Sequence, residues 1–322
     1  MKNKFVLVTG GAGYVGSSIC KILNHRGLVP VVFDNFSTGH KEFVKWGPLV
    51  EGDILSITDL ETVFQKFSIT SVIHCAAKAY VNESISNPIK YYRENINGSV
   101  NLLDTFIKHN GVNFIYSSSC SVYGNSTSTK IQENHKTLPI NPYGFTKLAV
   151  ENLIKNLKLI HKFNYAILRY FNAAGADLES KIGEKHEPET HVIPLLVNSS
   201  KNQTVFKVYG KNYNTLDGTA VRDFTHVTDL AIAHSNALDF IFNEKKDITC
   251  NLGTGIGTSI LDLISQMQKI DPDFKFTFEN CRAGDPGHLV ADNEQSRDIL
   301  KLEYSNSSIT NILKTALQWS GY

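Results

Sequence analysis

Residues 5–16 read Phe5-Val6-Leu7-Val8-Thr9-Gly10-Gly11-Ala12-Gly13-Tyr14-Val15-Gly16, and the reading of this stretch decides the fold. Four apolar residues closing on a threonine suit a buried strand, and Ser17 to Leu23 suit the helix that follows. The glycines between them permit a tight turn and close backbone approach. The unpaired N–H groups at the helix start then face an open space that favours an anion. Working outward, Val29 to Phe33 reads as the next strand, and Asp34 closes it 18 residues after Gly16. A carboxylate there can accept hydrogen bonds from both hydroxyls of an adenosine ribose and would repel a 2′-phosphate. Strand, glycine turn, helix and acid together point to NAD.

Further β-branched and aliphatic runs occur at Val72 to His74, Phe114 to Tyr116 and Tyr165 to Leu168, with segments of helical length between most of them. This alternation predicts an α/β fold, a Rossmann-type doubly wound parallel sheet covered on both faces. Past Asn172 the alternation weakens, and Lys211 to Gly218 and Ala283 to Gly287 are rich in Gly, Asn, Asp and Pro. The expected organisation is an NAD-binding Rossmann domain over 1–172 and a smaller C-terminal α/β substrate-binding subdomain over 173–322. A segment near 220–255, with a strand at Thr249 to Leu252, is expected to return to the first domain.

At about 150 residues per domain, 322 residues make one large domain or two fused ones. Hydrophobic residues are 42% and charged residues 20% of the chain, an ordinary globular balance, which argues against disorder. No apolar run approaches the ~18 residues of a membrane span, so a soluble protein with no membrane partner is expected. Thirty-two Lys and Arg against 31 Asp and Glu leave a net charge of +1, which offers no global field for nucleic acid. Any anion must be caught locally. The five cysteines are widely spaced without a C-x-x-C pair, which argues against a zinc site or a disulfide framework and for a reducing, cytoplasmic setting. Phe5 to Val8 is too short for a secretory signal.

Tyr143-Gly144-Phe145-Thr146-Lys147 puts a phenol and an ammonium one turn apart on one helical face, with Asn141-Pro142 as a natural helix start. A phenol titrates near ~10, and acting as a base at neutral pH needs about three units less, or roughly 4 kcal/mol of differential stabilisation. The Lys147 ammonium and an oxidised nicotinamide could supply the positive charge. Alone, Tyr-x-x-x-Lys is as compatible with an exposed helical pair. Its weight comes from Tyr116-Ser117-Ser118-Ser119-Cys120-Ser121-Val122-Tyr123-Gly124 at the end of the preceding strand. Ligands of parallel sheets bind beyond the carboxyl ends of strands, so these serines and the glycine turn should open on one crevice. Strand-end serines that merely cap a helix are the alternative.

Taken together, these residues resemble the extended short-chain dehydrogenase/reductase family and, within it, the UDP-glucose (UDP-galactose) 4-epimerases. The similarity extends over Asp34 to His40, Gly52-Asp53-Ile54, Asn87 to Tyr92, Leu168 to Gly175, Asp217 to Asp223, Asn251 to Gly255 and Arg282 to Asp285. The resemblance implies that Gly10, Gly13, Tyr14, Val15 and Gly16 line the NAD pyrophosphate. It gives Asp34, Asn35, Phe36, Ser37, Thr38 and Gly39 to the adenosine, Asp53 and Ile54 to the adenine, and Cys75, Ala76 and Ala77 to the strand-four edge. Asn95 and Phe171 would complete the nicotinamide pocket. Ser119, Tyr143 and Lys147 match the catalytic trio, which also contacts the cofactor. Asn172, His191, Val192, Tyr209, Arg222, Arg282, Asp285 and Leu289 match positions around a UDP-sugar. Two forked arginines would suffice to bind its pyrophosphate.

Two positions depart from that pattern. Some members carry a lysine two residues after the Ala-Ala edge, where this chain has Ala79, with Lys78 one place earlier. Leu289 stands where the family has either a bulky aromatic or a small residue beside the sugar's carbon-2 substituent. The implied reaction is redox-neutral inversion at carbon 4 with Tyr143 as general base. Pentose, uronate and N-acetylhexosamine substrates remain alternatives. A dehydratase is disfavoured because Cys120 and Ser121, not carboxylates, follow the catalytic serine, and an NAD sensor because the Tyr and Lys are kept. His186-Glu187-Pro188-Glu189-Thr190-His191 is read as a substrate-side loop without metal, since it misses H-E-x-x-H by one residue and Pro188 forbids the required helix. Apolar stripes at Leu148, Val150, Leu153, Ile154, Leu157 and Ile160 and at Ile96, Val100, Leu103, Phe106 and Ile107 mostly suit packing on the sheet. The resemblance further implies that their two helices pair across the two-fold axis of a homodimer.

Overall fold

In β1 (Phe5–Thr9), Val6 and Val8 project to one face and Leu7 to the other, and all three are fully buried. Such a strand must lie inside a sheet covered on both sides. A computed structural model, which describes residues 4–126, 128–281 and 286–322, places it there. The further strands are β2 (Val29–Asp34), β3 (Leu49–Glu51), β4 (Ser71–His74), β5 (Asn113–Ser119), β6 (Asn164–Tyr170), β7 (Asn172–Ala174), β8 (Phe206–Tyr209), β9 (Val221–Arg222), β10 (Phe224–His226), β11 (Ile248–Leu252), β12 (Thr258–Ser259), β13 (Phe276–Glu279) and β14 (His288–Leu289). The helices are α1 (Tyr14–His25), α2 (Ile57–Phe67), α3 (Val81–Ser86), α4 (Pro88–Tyr91), α5 (Gly98–Lys108), α6 (Pro142–Ile160), α7 (Val192–Lys201), α8 (Val227–Glu244), α9 (Ile260–Gln268), α10 (Glu294–Asp298) and α11 (Ile309–Ser320).

Seven parallel strands run in the order β11-β6-β5-β4-β1-β2-β3, with Leu7 level with both Val31 and Val72. The chain winds outward from β1 to β3 and then crosses back to β4 on the other side of β1. This reversal opens a crevice at the strands' carboxyl ends. On one face Ile19 and Leu23 of α1 and Leu230, Leu238 and Ile241 of α8 pack on Val6, Val8 and Leu168. On the other, α2, α5 and α6 pack Leu60, Phe64, Phe106, Val150 and Ile154 against Leu7, Phe33 and Phe114. A second core joins α7, α9 and α11 to β8 through Leu196, Leu263, Met267, Leu313 and Phe206.

The segment around 220–255 serves both this sheet and a three-stranded one. Here β9 lies between β12 and β14, whereas α8 covers the large sheet and β11 forms its edge beside β6. The edge strand β3 is only three residues long, too short to carry a period that sequence reading could detect. β5 runs beyond Tyr116 to Ser119, since the buried serine hydroxyls find partners there. Residues Tyr92–Asn97 form a π-helical turn before α5, a distortion that often marks a functional position. Of the two stripes, Leu103, Phe106, Val150 and Ile154 are buried, while Val100 and Ile160 stay exposed, as does Phe145 beside Tyr143. Among the described residues, no helix is long and apolar enough to cross a membrane.

Candidate active site

The crevice holds a cavity of about 940 Å³ whose walls include the glycine turn, the ends of β2, β4 and β5, the start of α6 and the 184–192 segment. A side chain on the turn's last glycine is impossible without moving backbone: a Cβ on Gly16 would lie 2.1 Å from the Gly10 oxygen. Gly10 has φ +72°, and a Cβ there would lie 2.7 Å from the Ala76 nitrogen. The turn thus presses on β1's neighbour and leaves the α1 N-terminus open to the cavity. Asp34 is buried at the end of β2, its Oδ2 accepting from the Ala12 N–H at 3.0 Å and its Oδ1 from Phe36 at 2.9 Å. Burial raises its pKa and the two amides work against that rise. Beside it, Asn35 donates to Asp53 at 2.9 Å. This cradle, with an acid at the ribose position, fits a dinucleotide.

Asn141 caps α6 by accepting from the Gly144 N–H at 2.9 Å, with Pro142 in the first turn, and this fixes the helix phase. Tyr143, Lys147 and Glu151 then follow one another at intervals of four along the face toward β5. Alternation along β5 separates the serines. Ser118 donates to Glu151 at 2.6 Å, itself paired with Arg169 at 2.6 Å, and Ser117 accepts from the Tyr170 hydroxyl at 2.7 Å. Of the three, Ser119 is the one that acts on the Tyr143 phenol, offsetting part of the rise in its pKa, and it also accepts from the Ser121 N–H at 3.1 Å. Lys147 is buried, donates to the Ser117 carbonyl at 2.7 Å and lies 5.8 Å from the Tyr143 ring centre.

Burial pushes the Lys147 ammonium down to about 8 and the Tyr143 phenol up to about 12, Ser119 offsetting part of the latter. The expected downward shift of Tyr143 is therefore not a property of these side chains alone. It requires positive charge beyond Lys147, which the oxidised nicotinamide would carry.

Most residues expected at the site line this one cavity, including Tyr14, Ser37, Ile54, Ala77, Phe171, Asn172, Val192, Tyr209 and Leu289. Register places Leu289 directly beside Arg222, and both face the cavity. Two of the expected residues are not among those lining the cavity. Phe36 takes a left-handed turn with φ 57°, its ring under the Lys41 ammonium at 5.0 Å, and its N–H bonds Asp34. Asn95 is buried behind the wall, where its amide accepts from the Lys78 N–H at 2.8 Å and donates to the Lys78 carbonyl and to Thr146. It positions Lys78, which does line the cavity and donates to Ser37 at 2.9 Å. Arg282 and Asp285 lie outside the described residues.

The 184–191 loop, expected on the substrate side, lines the cavity. Without any helix, one ligand-type atom from each of Glu184, His186, Glu189 and His191 comes within 4.8 Å of the others. The spacing of His186 and His191 hinted at this, but the convergence depends on loop geometry that no periodicity encodes.

The sequence profile of the NAD dependent epimerase/dehydratase family matches residues 6–253. The chain is 42% identical over 322 residues to a UDP-glucose 4-epimerase of Rhizobium leguminosarum bv. trifolii, covering 99% of this chain and 98% of that one. Among solved structures, UDP-glucose 4-epimerase from Brucella ovis in complex with NAD superposes with a TM-score of 0.94 at 42% identity, covering 98% of both chains. UDP-glucose-4-epimerase from Stenotrophomonas maltophila, with bound NAD and formylated UDP-arabinopyranose, gives a TM-score of 0.95 at 33% identity, covering 99% of this chain and 98% of that one.

Proposed function

The chain belongs to the NAD dependent epimerase/dehydratase family, and from that premise we propose that it interconverts UDP-galactose and UDP-glucose at carbon 4. The observation that carries the reading is the single cavity shared by the dinucleotide cradle and the Ser119, Tyr143 and Lys147 group. Residues 1–172 are assigned mainly to NAD, with Gly10 to Gly16, Asp34 to Gly39, Asp53, Ile54 and Cys75 to Ala77 around it. Residues 173–322 are assigned mainly to the nucleotide sugar, apart from the α8 and β11 stretch. When bound, NAD would take up the carbon-4 hydride and give it back, so that none is consumed overall.

Tyr143 acts as general base toward the carbon-4 hydroxyl, with Ser119 linking the sugar oxygen to the phenol. Lys147 favours the phenolate electrostatically and, through its bond to the Ser117 carbonyl, stays on the correct side of α6. Arg222, Tyr209, Asn172, His191 and Val192 hold the UDP part, so the 4-keto sugar can turn over without leaving. Tyr143 then returns the proton to the opposite configuration. Leu289 bounds the carbon-2 side, and its intermediate size leaves N-acetylated sugars as the second substrate class to compare. The five free thiols support a reducing compartment, which we take to be the cytoplasm. The exposed Val100, Phe145 and Ile160 support a homodimer through α5 and α6, which a monomeric mass by light scattering would overturn.

The test is incubation of purified protein, without added NAD, with UDP-galactose and separately with its N-acetylated, pentose and uronate analogues, followed by chromatography. UDP-glucose is the expected product. No conversion of any sugar, even with NAD supplied, would refute the reading.

A further inference from the structure

We propose that Glu184, His186, Glu189 and His191 form a binding site for a divalent cation of the zinc type, a site the epimerase reading does not require. The geometry is that of converging ligands. His186 Nδ1 lies 3.5 Å from Glu184 Oε1 and 3.5 Å from Glu189 Oε2, and His191 Nδ1 lies 3.7 Å from Glu189 Oε1. Four nitrogen and oxygen ligands around zinc at about 2.1 Å in a tetrahedron stand roughly 3.4 Å from each other. One pair is closer, His191 Nδ1 to Glu184 Oε1 at 2.5 Å, and needs to open by about 1 Å to meet that spacing.

Two further observations point to a ligand. The Nδ1 atoms of His186 and His191 are buried, although the side chains as a whole are 18% and 43% exposed, and neither makes a hydrogen bond of acceptable geometry in spite of the carboxylates around them. Buried imidazole nitrogens are ordinarily satisfied, and two left without a hydrogen bond among converging carboxylates are the exception a metal explains. Second, the Glu184 and Glu189 side chains are only 6% and 13% exposed, and among the described residues their ion-pair partners are these two imidazoles alone. With both imidazoles deprotonated, the state in which they ligate a metal, the group would carry two negative charges, which a divalent cation cancels.

The surroundings hold the ligands in place. Glu189 Oε1 accepts from the Thr190 and His191 N–H groups at 2.7 and 2.8 Å, which anchors the carboxylate at the start of α7. The Glu184 carbonyl accepts from Trp319 of α11 at 3.2 Å, and the Lys185 carbonyl is bonded to His40 at 2.9 Å. The amides on Glu189 are the kind of outer contact that orients a ligand in known metal sites, and the two backbone carbonyl contacts fix the loop. A bound ion would therefore brace the loop that walls the cavity. Metal on the His191 Nδ1 would also fix its proton on Nε2, leaving that ring nitrogen as a donor.

The test uses full-length protein stripped with EDTA, re-equilibrated with zinc sulfate, desalted and analysed for metal by mass spectrometry, with thermal unfolding measured alongside. The expected result is about one zinc per chain and a higher Tm with zinc in the wild type. In the His186→Ala/Glu189→Gln variant, zinc should fall at least tenfold and the Tm response should vanish. If that variant does not fold, His186→Asn takes its place with the same expectation. Less than a tenth of a zinc per chain in the wild type, or equal zinc in wild type and variants, would overturn the proposal. None of these readouts depends on which sugar, if any, the protein converts.

Discussion

Replacing Lys147 with Met removes the charge and keeps most of the side chain's volume. The ammonium, its pKa pushed down to about 8, is still mostly charged at pH 7 and lies 5.8 Å from the Tyr143 ring centre. A unit charge at that distance, at an effective dielectric of about 20, is worth roughly 3 kcal/mol to the phenolate. That energy corresponds to roughly two pH units in the phenol's ionisation, or about a 100-fold smaller phenolate fraction at neutral pH. Lys147→Met should therefore lower kcat about 100-fold at pH 7 and shift the acid limb of its pH profile upward by roughly two units. The assay is epimerisation of UDP-galactose across pH 6 to 9, on protein whose NAD content has been measured, so that cofactor loss is not mistaken for loss of base strength. A variant with full NAD content, kcat within about threefold of wild type and an unshifted profile would refute the electrostatic role of Lys147.

Gly16→Ala should lose NAD, because its Cβ would stand 2.1 Å from the Gly10 oxygen and 2.9 Å from the Gly11 Cα. Nucleotide released on denaturation should drop from near-stoichiometric to near zero, and unchanged occupancy would contradict the cradle. Acid should destabilise the fold through His74, His226 and His234, whose pKa values burial lowers to about 3, 4 and 4. Each imidazole is neutral in the fold but protonates near ~6.5 when unfolded, so stability is complete above that pH and declines as pH falls toward the folded values. At pH 5 the loss is about 2 kcal/mol per histidine. Urea midpoints should fall accordingly between pH 7.5 and 5, and a flat profile would contradict their buried neutral state.

What the sequence reveals at this site is what local chemistry encodes. The turn from Gly10 to Gly16, Asp34 at the end of a strand, and Tyr143 four residues before Lys147 each depend on neighbours close in the chain. The three serines before Cys120 look alike until β5's alternation turns Ser118 to Glu151 and leaves Ser119 to Tyr143. Asn95 and Lys78 are 17 residues apart, and their mutual clasp follows from how the π-helical turn packs, which no spacing rule expresses. The spacing of the 184–191 loop misses H-E-x-x-H by one residue and Pro188 excludes a helix, yet its four side chains converge through loop geometry, which the motif does not express. The pKa of Tyr143 is likewise not written in the sequence, since the burial that raises it is a tertiary property.

The central claim is that Tyr143 moves the proton at carbon 4 in this cavity. Its most direct test is the turnover of Tyr143→Phe, with UDP-galactose binding measured by calorimetry on the same NAD-loaded sample. A drop in kcat of about 10²- to 10⁴-fold is expected, the range for loss of a general base, with Kd within about threefold of wild type. Near-wild-type turnover by the phenylalanine variant would contradict the account.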